Sequence, residues 1–188
     1  MIKIIGGIFK GTTLEVSPYN VRPTSAFKRE SIFSIIDSYA IKNSINFYKK
    51  KAFLDIFAGT GSIGLEAISR GMEKVFFYEK DKKVLEILKK NCVKICKKNQ
   101  FRIFVEDAMN TSFSLIDYKI SLIFIDPPYF KYNISELLQI LLKNKIINKE
   151  TIIIVEESAK TTFNISHKLK IINKKTYGKT IINFLMLR

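Results

Sequence analysis

Apolar residues change their spacing several times along the chain, and each change marks out an element. Residues 2–5 and 12–16 alternate around Gly6-Gly7 and Gly11, which predicts a small β-hairpin. A proline-bearing link from Ser17 to Pro23 leads to Thr24 or Ser25, either of which suits a helix N-cap. From there to about Tyr39, the residues Ile32, Phe33, Ile36 and Tyr39 recur at helical spacing. The polar stretch from Lys42 to Lys51 reads as a loop. A regular alternation then begins. Ala52–Phe57 is a strand and Ser62–Arg70 a helix; Lys74–Tyr78 is a strand and Lys82–Lys97 a helix. Arg102–Val105 is a strand, with a short helix expected near Met109–Leu115. Lys119–Ile125 is a strand, Ser135–Leu142 a helix and Thr151–Glu156 another strand. Such alternation predicts a parallel sheet with helices on both faces, an α/β fold. The end differs, since Lys168–Lys175 and Thr180–Leu187 flank Tyr177-Gly178 and predict a hairpin. At least one edge strand is therefore expected to be antiparallel. No internal repeat is visible.

Composition bounds what such a sheet can do. The 188 residues fit one domain, with residues 1–40 as an N-terminal hairpin and helix extension. No apolar stretch approaches the roughly 18 residues a membrane span needs. The opening Met-Ile-Lys-Ile-Ile-Gly-Gly has too short an apolar run for a signal peptide. A cytoplasmic protein without a membrane partner is expected. Cys92 and Cys96 fall on one helix face, too local for a structural disulfide, and one pair cannot complete a zinc site. They read as packing residues in a reducing compartment, and no metal is expected. His167, the single histidine, gives no histidine-based catalytic constellation and reads as a surface residue.

The formal charge of +15 suggests a polyanionic partner. A chain so rich in Lys, Asn and Ile is also what AT-rich coding would produce, so distribution says more than the total. Residues 1–51 carry nine Lys/Arg against three Asp/Glu, and residues 131–188 carry eleven against four. Residues 52–130 carry twelve against ten. Positive charge thus flanks a nearly neutral centre, which favours nucleic acid over a merely solvated basic surface.

The chemistry-bearing residues follow the strands. Asp126-Pro127-Pro128-Tyr129 comes directly after the apolar run Ser121–Ile125, hence at the carboxyl edge of a buried strand, where open α/β sheets bind ligands. A nucleobase amine is a poor nucleophile because its lone pair is delocalised into the ring. The Asp126 carboxylate and the Pro127 carbonyl could each accept one of its hydrogens. The fixed φ of the two prolines limits how that carbonyl can turn away, and Tyr129 could stack on the base. The plain alternative is a tight turn after a strand.

Upstream, Asp55-Ile-Phe-Ala-Gly59-Thr-Gly61-Ser-Ile-Gly64 spells G-x-G-x-x-G in the strand–turn–helix context of a nucleotide-binding loop. Glu79 ends the next strand, where it could bind ribose hydroxyls. That spacing serves NAD and S-adenosylmethionine equally. Asp55 could receive the ammonium of a methionine moiety, directly or through water, whereas beside a pyrophosphate it would cost energy. Asp107-Ala108 offers a carboxylate for an adenine amino group. The Asp-Pro-Pro-Tyr motif has a role beside a methyl donor and none in hydride transfer. S-adenosylmethionine is the expected cofactor.

Taken together, the Asp-x-Phe-Ala-Gly-Thr-Gly loop, Glu79, Asp107 and Asp-Pro-Pro-Tyr resemble class I methyltransferases of exocyclic amines. Lys3-Ile4-Ile5-Gly6-Gly7, Phe9-Lys10-Gly11, Arg22-Pro23-Thr24, Arg29-Glu30-Ser31-Ile32-Phe33 and Tyr177-Gly178-Lys179-Thr180 resemble the RsmD-like family of 16S ribosomal RNA guanine-N2 methyltransferases. Lys3 stands where arginine is usual. The resemblance covers nearly the whole chain. It implies a Rossmann-like, mostly parallel seven-stranded sheet ending in an antiparallel hairpin, with 16S ribosomal RNA or the assembling small subunit as partner. It further implies that Phe57, Ala58, Gly59 and Gly61 line the methionine and ribose, with Glu79 on the ribose and Asp107 on adenine. Arg22 and Thr24 would close over the cofactor's carboxylate end, although Arg22-Pro23-Thr24 could equally be a turn into the helix. Lys10, Lys28 and Arg29 are candidates for phosphate contact. The competing readings are a DNA adenine-N6 methyltransferase, a non-catalytic RNA-binding protein on the same scaffold and, weakest, an oxidoreductase.

Overall fold

The computed structural model describes residues 2–17, 24–128, 131–161 and 163–188. Strands β1 (Ile2–Lys3) and β2 (Thr13–Leu14) pair antiparallel as a small ribbon. Helix α1 (Ala26–Asn43) follows. Then β3 (Ala52–Ile56), α2 (Ser62–Ser69), β4 (Lys74–Tyr78), α3 (Lys82–Ile95) and β5 (Phe101–Phe104) alternate. The rest comprises β6 (Ile120–Ile125), α4 (Ile134–Lys143), β7 (Ile152–Ser158), β8 (Leu169–Tyr177) and β9 (Thr180–Leu187). Seven strands form one sheet in the order β5-β4-β3-β6-β7-β9-β8. Strands β3 to β7 pair parallel, while β9 runs antiparallel to both β7 and β8. The mostly parallel sheet with an antiparallel C-terminal hairpin agrees with the sequence pattern. Among the described residues, no helix is long and apolar enough to cross a membrane.

Period-two patterning decides which face each strand residue serves. On one face Phe53, Val75, Phe77 and Leu122 pack against residues of α1, α2 and α3, including Phe33, Leu65 and Leu88. On the other, Leu54, Ile56, Phe76 and Ile123 pack with Leu137, Leu138 and Leu141 of α4. Cys92 is free and buried in the first of these cores, as a packing residue, and Cys96 is free and packs against it. His167 is exposed.

Most expected ends fall within two residues of the observed ones, and two elements depart further. Helix α1 runs beyond Tyr39 to Asn43 because Ser44 takes a left-handed φ of 54°. Ser44 N–H then reaches the Ile41 carbonyl and Ile45 N–H the Ala40 carbonyl, a Schellman closure achieved without glycine. In place of a helix at Met109–Leu115 there is only a 3-10 turn at Ala108–Asn110. The Thr111 and Ser112 hydroxyls accept from the N–H groups of Phe113 and Ser114, so local side-chain bonds outcompete helix formation.

The N-terminal ribbon is fastened to the helices by buried charge. Glu66 of α2 is fully buried. Its carboxylate accepts Ile5 N–H at 2.8 Å, Gly6 N–H at 2.7 Å and Arg70 Nε at 3.1 Å. A Cβ on Gly7, whose φ is +74°, would lie 1.8 Å from the Ser69 carbonyl oxygen, so only glycine lets the ribbon lie this close. Arg29 is also inside, 1% exposed. Its guanidinium donates to the Lys3 carbonyl at 2.6 Å and the Thr24 carbonyl at 3.1 Å. The expectation that Arg29 meets RNA phosphate is therefore corrected: its charge is spent joining α1 to β1.

Candidate active site

The centre of the sheet sets the site. From β3 the chain turns through α2 to β4 on one side, and from β6 it turns through α4 to β7 on the other. Loops leaving the carboxyl ends of β3 and β6 therefore diverge, opening the crevice typical of such a switch point. A cavity of about 930 Å³ lies there. Strand register sets its floor. Ile56 pairs with both Tyr78 and Ile125, and Ile125 pairs with Val155. One residue further on, Glu79, Phe57, Asp126 and Glu156 consequently form a row along the sheet edge. All four line the cavity.

The glycine loop is held by its own neighbours. Gly59 N–H donates to Glu79 Oε2 at 2.8 Å, and the other oxygen of Glu79 accepts Asp81 N–H at 2.8 Å. Phe57 adopts a left-handed φ of 64°, a strained state for a bulky residue that tends to persist at ligand sites. Its ring packs 4.6 Å from that of Tyr132. Gly64 is needed for another reason, since a Cβ there would meet the Phe77 ring at 2.4 Å. That close approach of helix to strand aims the start of α2 at the cavity.

Of the carboxylates that line this space, Glu79, Asp107, Asp126 and Asp55 are shifted from their ordinary pKa, each for its own reason. Burial raises the Glu79 pKa, with the Asp81 and Gly59 N–H bonds opposing it. Asp107 is partly buried, which pushes its pKa up, but the Lys80 ammonium at 2.7 Å and the Met109 N–H outweigh that and hold it low. Asp126 is pushed well above the usual carboxylate range by burial and then by the Glu156 charge, with Lys28 pulling the other way. Among the described residues its side chain makes no hydrogen bond, so its acceptors are open to a ligand.

Asp55 is the most enclosed of the four and lines the same cavity. Its Oδ2 accepts Gly64 N–H at 3.0 Å, yet burial dominates and its pKa is raised well above the ordinary value. The sign follows: a folded pKa above the unfolded one stabilises the fold most at low pH and is lost as pH rises through the folded value. As pH rises, the unliganded protein therefore bears a growing cost for keeping this acid buried. Asp55→Asn keeps an acceptor for Gly64 N–H, and is expected to raise the neutral-pH melting temperature by about 2–4 °C for each kcal/mol relieved. A melting temperature below the parent's at pH 7 would show that Asp55 stabilises the fold as an anion.

The predicted residues largely meet here. Thr24, Asp55, Phe57, Ala58, Gly59, Glu79, Asp107, Ala108, Asp126, Pro127 and Pro128 line the one cavity. Gly61 lies behind it as the N-cap of α2. Thr24 is not the cap of α1; that role belongs to Ser25, whose side chain accepts Lys28 N–H. Arg22 and Tyr129 lie outside the described residues. Lys10 is exposed on the ribbon loop. Lys28 is not a surface lysine, which corrects its expected role: its Nζ reaches inward to Glu156 Oε1 at 2.5 Å and Thr180 Oγ1 at 3.2 Å. Sequence reasoning missed Lys80, Tyr132, Glu156 and Thr180. For Glu156 a signal existed, a carboxylate at the end of the strand following Asp-Pro-Pro-Tyr.

Known proteins share this sequence and fold. The family model described as "Conserved hypothetical protein 95" matches residues 2–186. A Buchnera aphidicola protein named ribosomal RNA small subunit methyltransferase D is 31% identical over 93% of this chain and 87% of its own length. Its namesake from Escherichia coli K12 is 32% identical over 82% of this chain and 74% of its own. Among solved structures, yhhF, a candidate methyltransferase from Escherichia coli, matches with a TM-score of 0.82 at 25% identity, covering 100% of this chain and 98% of that one. A hypothetical protein of Thermus thermophilus shares the fold, with a TM-score of 0.77 at 21% identity over 100% of both chains. The family match over residues 2–186, the relatives and the sheet order lead to one conclusion: the chain belongs to the RsmD-like family of class I methyltransferases.

Proposed function

We propose that this chain transfers a methyl group from S-adenosylmethionine to the exocyclic N2 amine of a guanine in small-subunit (16S) ribosomal RNA, in the cytoplasm. The observation that carries this reading is the register placing Asp126, open and followed by Pro127-Pro128, next to Phe57 of the glycine loop. The relatives named for small-subunit ribosomal RNA methylation support the substrate class. The flanks of positive charge support a polyanionic partner, either free RNA or an assembling subunit.

The residues fit the cofactor. A cavity of about 930 Å³ is at the upper end of small-molecule sites, and its donors and acceptors divide along its length. Glu79 is set for ribose hydroxyls and Asp107, fixed by Lys80, for the adenine amine. Asp55, just before the loop, is set for an ammonium, and Thr24 lines the same cavity. When bound, S-adenosylmethionine would supply an electrophilic methyl: the amine lone pair forms the N–C bond, the C–S pair returns to sulfur, and the amine sheds one proton. Asp126 and the Pro127 carbonyl hold the amine hydrogens so that its lone pair is directed rather than delocalised. The raised pKa of Asp126 suits it to take the departing proton and pass it to water. Proximity and orientation supply most of the acceleration.

Labelled methyl donor incubated with ribosomal RNA or small subunits, followed by nucleoside analysis, should give N2-methylguanine. N6-methyladenine in DNA would replace this reading with the adenine one. Separately, S-adenosylmethionine should raise the melting temperature of the protein and NAD should not, because only a native-state ligand stabilises. Glu79→Ala should remove most of that rise. Stabilisation by NAD alone would overturn the cofactor assignment.

A further inference from the structure

Glu156 lies beyond the groups that hold the cofactor or the amine. It is 3% exposed, and its Oε2 has no hydrogen-bond partner among the described residues. A buried carboxylate oxygen without a donor is costly unless a ligand supplies one. Glu156, Pro127 and Pro128 line not only the large cavity but also a second one of about 350 Å³ on the far side of the two prolines. Glu156 thus stands where the cofactor cleft meets a compartment with room for a purine.

The order of polar groups there is fixed by the fold. Parallel register sets Glu156 beside Asp126. Lys28 lies beyond Glu156, held by Oε1 at 2.5 Å and by Thr180 at 3.2 Å, and the third N–H of its ammonium remains to be used. Along the row the groups read acceptor, acceptor, donor. The Watson–Crick edge of guanine reads donor, donor, acceptor: N2–H, N1–H and O6. Adenine offers a donor and then an acceptor at N1, and cytosine a donor and then an acceptor at N3, so each would turn a lone pair toward Glu156.

We infer that Glu156, fixed by Lys28, reads the N1–H of the target base, with Lys28 at O6, and that this pair selects guanine for methylation at Asp126. The inference rests on the proposed guanine-N2 activity and adds the residues that choose the base. Flipped bases are commonly read in this way, by hydrogen bonds to the Watson–Crick edge.

The test uses ribosomal RNA in which the mapped guanine is replaced by 2-aminopurine through splinted ligation. That base keeps the N2 amine for Asp126 but presents an acceptor at N1 and nothing at C6. The parent should prefer guanine by about 10² or more in kcat/KM, because an unmet buried polar group discriminates strongly. Glu156→Gln, whose amide can donate to the 2-aminopurine N1, should lower that ratio at least about tenfold. It should leave the S-adenosylmethionine melting shift intact. Glu157→Gln changes the next buried carboxylate, which also lines the second cavity with an unpartnered Oε2 but is bonded to Asn183 through Oε1 at 2.6 Å. It tells which of the two carboxylates reads the base, and should leave the ratio at the parent's value. If the parent makes N2-methylguanine but Glu156→Gln loses activity on both bases equally, or Glu157→Gln shifts the ratio as much, base selection by Glu156 is overturned while the function stands. If the parent makes no N2-methylguanine, both fall together.

Discussion

Asp126→Ala is expected to slow methyl transfer by about 10²–10³-fold, the usual cost of removing one electrostatic contact to a reacting group, while the cofactor-induced melting shift persists. The Asp126 side chain takes no part in the hydrogen bonding of the described fold, and burial and the neighbouring Glu156 make its charge costly. The variant should therefore melt at or above the parent's temperature, which separates lost chemistry from lost folding. Asp126→Asn should be milder because the amide oxygen still accepts an amine hydrogen. The pH profile gives an independent reading. Since the pKa of Asp126 is raised, its protonation begins above the usual carboxylate range as pH falls. Parent activity should fall through that window as the acceptor and proton sink is lost. In Asp126→Asn that limb should vanish. Full activity of Asp126→Ala would remove Asp126 from the mechanism.

The second large effect is on stability. Glu66→Ala leaves Ile5 N–H, Gly6 N–H and Arg70 Nε without their shared acceptor, with Arg70 only 18% exposed at its side chain. Breaking such a buried charged network costs about 3–5 kcal/mol, or on the order of 10 °C in melting temperature at this chain length. Glu66→Gln should recover part of that loss, because its one remaining oxygen can still accept a backbone N–H. Because the ribbon fastened by Glu66 also holds Arg29, the variant should lose protection from hydrogen exchange at Ile4, Gly11 and Thr12 before the sheet opens. A melting temperature within about 2 °C of the parent's, less than 1 kcal/mol at this size, would show that the ribbon is fastened elsewhere.

Much of this molecule was legible as sequence because parallel strands buried on both faces are apolar runs. The segment 74–78 was read with both of its observed ends. The Asp-Pro-Pro motif and the glycine loop were legible for the same reason, since each is anchored to a strand end. What was illegible depended on partners far along the chain. A charged residue in a helix looks solvated until its acceptors are known, and those of Arg29 are carbonyls at Lys3 and Thr24. Lys28 looked like a phosphate contact because nothing local shows that Glu156, 128 residues on, receives it. Glu156 itself gains meaning only from the register that sets β7 beside β6. The missing helix after Asp107 was a contest between short-range bonds that helical spacing does not weigh.

The strand order bears on how the protein is made. Strand β8 is synthesised before β9, yet β9 lies between β7 and β8 in the sheet. Until residues 180–187 emerge, β7 has no neighbour on that side, and its apolar Ile153, Ile154 and Val155 border an open edge ready to pair with another chain. Thr180, which steadies Lys28, arrives with the same strand. A nascent chain stalled before β9 would thus be both prone to aggregation and without one support of its base-reading corner, so completion of the sheet and of the site coincide in time.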